Sequence, residues 1–142
     1  MEKSMNELLE SLISQQKKKP EEYSPLLLAY IGDAVYEVFI RTNLIKRGNL
    51  PVNELHRLSK HYVSAAAQSE IVKKLEDRLT EDELRIFKRG RNAKPGTVPK
   101  NADVGDYHRA TGFESLVGYL YLKGAFERLY ELLSEISEVY NG

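Results

Sequence analysis

The sequence predicts an all-α domain, a bundle of helices. Three observations carry that expectation. Apolar residues recur at three- and four-residue spacing along most of the chain. Capping residues stand where those runs begin, and glycine or proline stands where several of them end. No stretch shows the apolar–polar alternation of a half-buried strand, and no internal repeat is found.

Leu8, Leu9, Leu12 and Ile13 give one apolar side to a first helix over residues 4–16, a face expected to pack on the core. Lys17-Lys18-Lys19-Pro20 ends it. Ser24-Pro25 joins a capping hydroxyl to a proline in the first turn, opening a second helix that should run to about residue 47 and stop at Gly48. Asn49-Leu50-Pro51 reads as a turn, and Asn53 can cap a third helix reaching about Leu75. Thr80-Glu81-Asp82-Glu83 fits a capping box and opens a helix that ends near Gly90. Asn92, Pro95, Gly96, Thr97, Pro99 and Asn101 make residues 91–104 the one long loop. Helical spacing returns at about Asp106, the expected cap, and carries to Leu122. Lys123-Gly124 separates it from a last helix ending near Tyr140.

A chain of 142 residues suits a single domain with one core. Hydrophobic residues make up 42% and charged residues 30%, an ordinary soluble balance. No apolar run approaches the ~20 residues that span a bilayer, and residues 1–19 are too polar for a secretory leader. Cysteine is absent, which excludes disulfides, thiolate chemistry and cysteine-held zinc. A cytoplasmic protein with no membrane partner is the expectation. Net charge is zero, but its distribution is uneven. Arg85, Lys88, Arg89, Arg91, Lys94 and Lys100 occupy a stretch without a single acid, while Glu127, Glu131 and Glu135 step along the last helix. Such a chain can meet a polyanion with one side.

Two acids stand in apolar helical runs beside glycine. Asp33 follows Gly32 among Leu28, Ile31, Val35 and Val38, and Glu114 lies between Gly112 and Gly118 among Phe113, Leu116 and Val117. Aspartate is a poor mid-helix residue, and glycine there costs roughly 1 kcal/mol against alanine. Two readings fit each acid alone: a structural ion pair or cap, or a functional group. Two such acids that can meet in space suggest a hard-cation site.

Tyr30-Ile31-Gly32-Asp33-Ala34-Val35 resembles the signature helix of the ribonuclease III family, and Phe113-Glu114-Ser115-Leu116-Val117-Gly118 resembles its second acidic motif, in the expected order. The likeness covers residues 25–133, the expected core, with residues 1–20 as an N-terminal helical extension. It is closer still to the short mini-ribonuclease III subgroup, through Ala29 to Ala34 and the Lys-Arg-Gly-Arg-Asn-Ala-Lys run from Lys88 to Lys94. The resemblance implies one ribonuclease III-like catalytic domain over residues 1–142, without a double-stranded-RNA-binding domain. It implies a homodimer with Tyr30 at the contact, and magnesium-dependent cleavage of duplex RNA to 5′-phosphate and 3′-hydroxyl ends, with manganese able to substitute. It also implies a place in maturation of large-subunit ribosomal RNA. Asp33 and Glu114 match family metal ligands.

There are departures. Longer enzymes carry a glutamate where this chain has Ala29 and an aspartate where it has Thr111. Glu37, one turn beyond Asp33, and Asp103 are candidates to support the site from behind its ligands. Arg85, Lys88, Arg89, Arg91, Asn92, Lys94 and Lys100 are the expected RNA-binding residues, the alternative being a solvated surface loop. His108 suits either a catalytic or a surface role, and His56 and His61 either a phosphate contact or plain solvation. The missing carboxylates keep a rival reading in play: a catalytically weak or inactive helical domain that grips structured RNA in a larger particle.

Overall fold

The computed structural model describes residues 2–94 and 97–141, with the backbone alone for residues 137–141. Among these residues the regular structure is helical: α1 (Met5–Ser14), α2 (Pro25–Ile45), α3 (Val52–Val63), α4 (Ala65–Leu75), α5 (Glu81–Asn92), α6 (Val104–Leu122) and α7 (Phe126–Asn141). Single helical turns at Pro20–Glu22 and Glu76–Arg78 join them. The all-α expectation holds.

α6 is the axis of the bundle. From Ala110 to Leu120 every residue is buried except Glu114, which is half-buried. A helix apolar on all sides must be wrapped on all sides, and α2, α4 and α5 supply most of the wrapping, with α7 closing the far end. Glycine allows the closest approaches. A Cβ at Gly32 would overlap the Glu114 carbonyl oxygen, and one at Gly118 would overlap the Leu28 carbonyl oxygen, so α2 and α6 cross with their backbones in contact. On the other side, a Cβ at Gly112 would sit 2.7 Å from the Phe87 carbonyl oxygen, so α5 also packs closely, though less so than α2.

Polar and aromatic groups lock the crossing. The Ser115 hydroxyl lies 2.8 Å from the carbonyl oxygens of both Pro25 and Thr111. Tyr36 meets Phe113 edge to face at 5.0 Å and donates to the Tyr62 carbonyl at 2.8 Å. Farther out, Arg128 grips buried Glu83 through two hydrogen bonds of 2.8 Å. Burial pushes the Glu83 carboxyl up, but the bonds from Arg128 and the Thr80 backbone outweigh it and hold the group below the usual carboxylate range.

Several sequence signals are realised in detail. Ser24 accepts from the Leu27 amide at 3.3 Å. Thr80 and Glu83 form the reciprocal capping box at 3.2 and 2.9 Å. The chain turns out of α2 through Gly48 at φ 116°, which only glycine adopts freely.

Other expectations need correction. The helix expected from Asn53 to Leu75 is broken at Ser64, whose extended backbone ends α3 while its side chain caps α4 through the Ala67 amide at 3.2 Å. Asn53 lies inside α3, which starts after Pro51. α5 continues past Gly90 to Asn92. The cap of α6 is Asp103, not Asp106: Asp103 accepts from the Asp106 amide at 2.9 Å, and Asp106 pairs with Arg109 at 3.0 Å instead. The apolar stripe of α1 does not join the core. No α1 residue is buried, and Leu8 and Leu12 are 51% and 55% exposed, because α1 lies at the outer edge of the bundle. Pro95 and Gly96, two of the expected loop residues, and the side chain of Tyr140 lie outside the described residues.

Candidate active site

The α2–α6 crossing that excludes a side chain at Gly32 also brings Asp33 beside Glu114, one residue along α2 from the point of backbone contact. Both acids line one cleft of about 460 Å³, together with Leu26, Ala29, Tyr30, Ile31, Ala34, Tyr107 and Thr111. Asp33 is exposed, whereas Glu114 stands in the buried wall of α6.

The electrostatics follow from that placement. Burial pushes the Glu114 carboxyl up to about 8; the Asp33 carboxylate beside it pushes the same way, and so, more weakly, does Glu37. The Gln68 amide opposes them, donating to Glu114 Oε2 at 3.3 Å. Below a pH of about 8 Glu114 keeps its proton and hydrogen-bonds Asp33; with both ionised the two would repel each other, and a divalent cation between them would remove that repulsion.

A consequence is measurable in the metal-free protein. Between the unfolded value of 4.5 and the folded value of about 8, the folded state holds a proton that the unfolded state has released. Stability therefore falls as pH rises through that window, and the loss is complete above it. Glu114→Gln removes the penalty and keeps an acceptor for Gln68. In chelator at pH 9 its melting temperature should exceed that of the wild type by roughly 5 °C or more, and the gap should close below pH 5. Thermal melts across pH check this; a variant less stable at every pH would refute it.

The remaining expected site residues are placed as follows. Glu37 lies one turn along α2 and pairs with Arg41 at 3.1 Å. Asp103 is committed to capping α6. Thr111, where longer enzymes carry an acid, donates its hydroxyl to the Tyr107 carbonyl at 3.0 Å, so it satisfies its own helix. Tyr30 is 79% exposed on α2. Of the basic residues, Arg85 pairs with Asp82 on the surface at 2.9 Å. Lys88, Asn92, Lys94 and Lys100 are exposed. Arg91 lies 5.7 Å over the Phe87 ring. Arg89 turns inward and donates to the Glu21 and Tyr23 carbonyls at 3.1 and 3.4 Å, which ties the segment before α2 to α5. Arg91 and Asn92, expected in the loop, thus lie in α5 with Arg85, Lys88 and Arg89, and Lys94 and Lys100 follow it. His56 and His61 are exposed, and His108 is half-buried away from the cleft lining.

Sequence reasoning missed Gln68 and Tyr107. Gln68 had a legible signal: it occupies the face of α4 that carries Ile71, Val72 and Leu75, a polar residue in an apolar register. Tyr107 had none.

Among the described residues no group of three or more His, Cys, Asp or Glu converges. Two hard oxygen donors in one cleft still suit magnesium, which keeps several waters and is often held by one or two carboxylates plus substrate phosphate.

An all-α bundle with a carboxylate pair in a cleft of its central crossing has the build of a helical endoribonuclease domain. The ribonuclease III domain matches residues 26–125. Mini-ribonuclease 3 of Thermoanaerobacter sp. (strain X514) is 51% identical over 133 residues, 94% of each chain. Mini-ribonuclease 3 of Symbiobacterium thermophilum is 50% identical over 119 residues, 84% of this chain and 92% of that one. An X-ray crystal structure of a Fusobacterium nucleatum protein superposes with a TM-score of 0.79 at 32% identity, covering 87% of this chain and 99% of that one. The chain belongs to the ribonuclease III family, in its mini-ribonuclease III group. Among the described residues no helix is long and apolar enough to cross a membrane.

Proposed function

We propose that this chain is a magnesium-dependent endoribonuclease that cleaves double-stranded RNA, acts as a homodimer in the cytoplasm, and serves maturation of large-subunit ribosomal RNA. The observation that carries the reading is the meeting of Asp33 and Glu114 in one cleft, where burial first and the neighbouring Asp33 second push the Glu114 carboxyl up. In this reading residues 1–142 form one catalytic domain.

Asp33 and Glu114 hold the cation, manganese being an admissible substitute. When bound, it supplies charge neutralisation on the scissile phosphate and a water made nucleophilic. Glu37 adds negative charge behind the pair. Lys88, Lys94 and Lys100, with Arg85, Asn92 and Arg91, offer a basic surface at the end of α5 and in the loop after it. That surface suits duplex phosphate and a strongly salt-dependent affinity. Arg89 contributes there chiefly as the strut that holds α5 to the start of α2.

Tyr30 projects from the cleft rim beside exposed Leu26 and Leu27, which suits burial against a second copy. Tyr30→Asp should convert the dimer to monomer by sedimentation while circular dichroism stays helical. A variant that still sediments as a dimer would remove Tyr30 from the contact.

The test of function is incubation with long double-stranded RNA, with magnesium or with chelator, and mapping of the ends. Cleavage in magnesium alone, leaving 5′-phosphate and 3′-hydroxyl ends, is expected. Duplex binding without cleavage under both conditions would favour the RNA-gripping role instead.

A further inference from the structure

Gln68 stands on α4, a different helix from either acid, and is 2% exposed. Its Nε2 donates to two acceptors at once, the Val63 carbonyl at 2.9 Å and Glu114 Oε2 at 3.3 Å. Because the Val63 carbonyl only accepts, it determines the amide orientation: the NH2 group faces Val63 and Glu114, and the oxygen faces away. That oxygen, Oε1, is buried and has no hydrogen-bond partner among the described residues. A buried acceptor without a protein partner is unfavourable. The neighbours of Gln68 on the same face of α4, Ile71, Val72 and Leu75, are apolar, and an apolar side chain at position 68 would avoid the cost. The arrangement is unfavourable for folding, which is the pattern of a residue kept for a site.

Its effect on the site is specific. The bond engages one Glu114 oxygen from the side of α4; Asp33 hydrogen-bonds the same carboxyl only while the pair holds a proton, so Gln68 is the donor that stays when both acids are ionised. Glu114 is otherwise walled by buried residues of its own helix. Without a donor behind it, the carboxylate would be free to swing between rotamers in a cleft where Asp33 repels it. The two positions at which longer enzymes bring further carboxylates do not take over this role: Ala29 has no polar group, and the Thr111 hydroxyl is spent on its own helix.

We propose that Gln68 is the positioning residue for Glu114, reaching across from α4 to hold its carboxylate in the orientation that, with Asp33, receives the divalent cation. The inference rests on the endonuclease reading above.

The test compares wild type, Gln68→Met, Gln68→Glu and Asp33→Asn. Methionine matches glutamine in length and fills its space without donating. Two readouts are taken: cleavage of a long RNA duplex against magnesium concentration, and the rise in melting temperature that manganese produces in the RNA-free protein. For Gln68→Met, cleavage at fixed magnesium should drop about 10–100-fold. The half-saturating magnesium concentration should move up, the manganese-induced stabilisation should shrink, and duplex affinity in chelator should be unchanged. Gln68→Glu adds a third acid and should not restore the wild-type rate. If Gln68→Met melts cooperatively and retains wild-type cleavage, magnesium dependence and manganese response, Gln68 is only a structural tie to Val63 and the proposal is overturned. If Gln68→Met does not melt cooperatively, Gln68→Glu decides by the same two readouts, and wild-type behaviour there overturns it equally. A wild type that does not cleave while manganese still stabilises it, and less so in Gln68→Met, would defeat the nuclease reading but not the positioning role.

Discussion

Replacing Asp33 with asparagine is expected to reduce cleavage of duplex RNA by about 10³-fold while leaving duplex binding in chelator within about twofold of wild type. The change keeps the shape of the side chain and removes one of the two anionic donors in the cleft. Loss of several kcal/mol of cation-derived stabilisation at the scissile phosphate corresponds to a rate loss of that order. Binding should survive because the basic surface of α5 and its following loop does not include Asp33, and phosphate contacts dominate affinity. Asp33 is exposed on α2, so the fold should tolerate the change. One secondary effect distinguishes this account from generic damage. With the Asp33 charge gone, the Glu114 carboxyl loses one of the influences that push it up toward 8. The loss of stability with rising pH should then occur at lower pH than in the wild type. Single-turnover cleavage, filter binding in chelator and pH-dependent melts together check the prediction. Asp33→Asn cleaving at the wild-type rate would remove it from the site.

Gly32→Ala should be, with Gly118→Ala, the most damaging glycine-to-alanine change among the described residues. The added Cβ would overlap the carbonyl oxygen of Glu114 and crowd the Gly118 amide nitrogen. These are backbone atoms of a helix buried along most of its length, so no side-chain rotation relieves the clash. α2 and α6 must move apart, at a cost of about 3 kcal/mol or more, or roughly 10 °C in melting temperature for a domain of this size. The same displacement parts Asp33 from Glu114, so activity should fall further than stability does, even at temperatures where the variant is fully folded. Gly48→Ala offers a contrast. Its Cβ would meet nothing within 4 Å, and its cost is that of a left-handed backbone at an exposed turn, about 1 kcal/mol. Equal losses of activity in the two variants, measured where both are folded, would contradict the role given to the crossing.

The contrast between these glycines shows what was legible in the sequence. Gly32, Gly112 and Gly118 stand out in the sequence as glycines in apolar helical runs beside the two acids, and each proves to be a point of close backbone approach. The caps at Ser24 and Thr80 and the stop near Gly48 were also plain, because each is a local decision made by a few adjacent residues. The break at Ser64 was hidden, since the apolar spacing continues through it and serine is tolerated inside a helix. Two side chains from elsewhere reinforce it: Gln68 bonds back to Val63, and the Tyr36 hydroxyl donates to Tyr62. The cap of α6 is ambiguous in the sequence because Asp103 and Asp106 stand three residues apart, the spacing of a cap and the amide it receives. α1 has the pattern of a core helix and lies at the edge, because an amphipathic pattern describes a face and not what it meets. Within the site, the acids were readable as breaches of helix rules, whereas the inward turn of Arg89 depends on carbonyls more than sixty residues away in sequence.

The central claim is that Asp33 and Glu114 share one divalent cation beside the RNA strand. Anomalous diffraction from manganese, in crystals of the protein bound to a duplex with a non-hydrolysable backbone, tests it most directly. A manganese peak within ligand distance, about 2.0–2.2 Å, of oxygens from both carboxylates and of a phosphate is the expected result. A peak that touches neither acid, or only one of them in a protein that still cleaves, would contradict it.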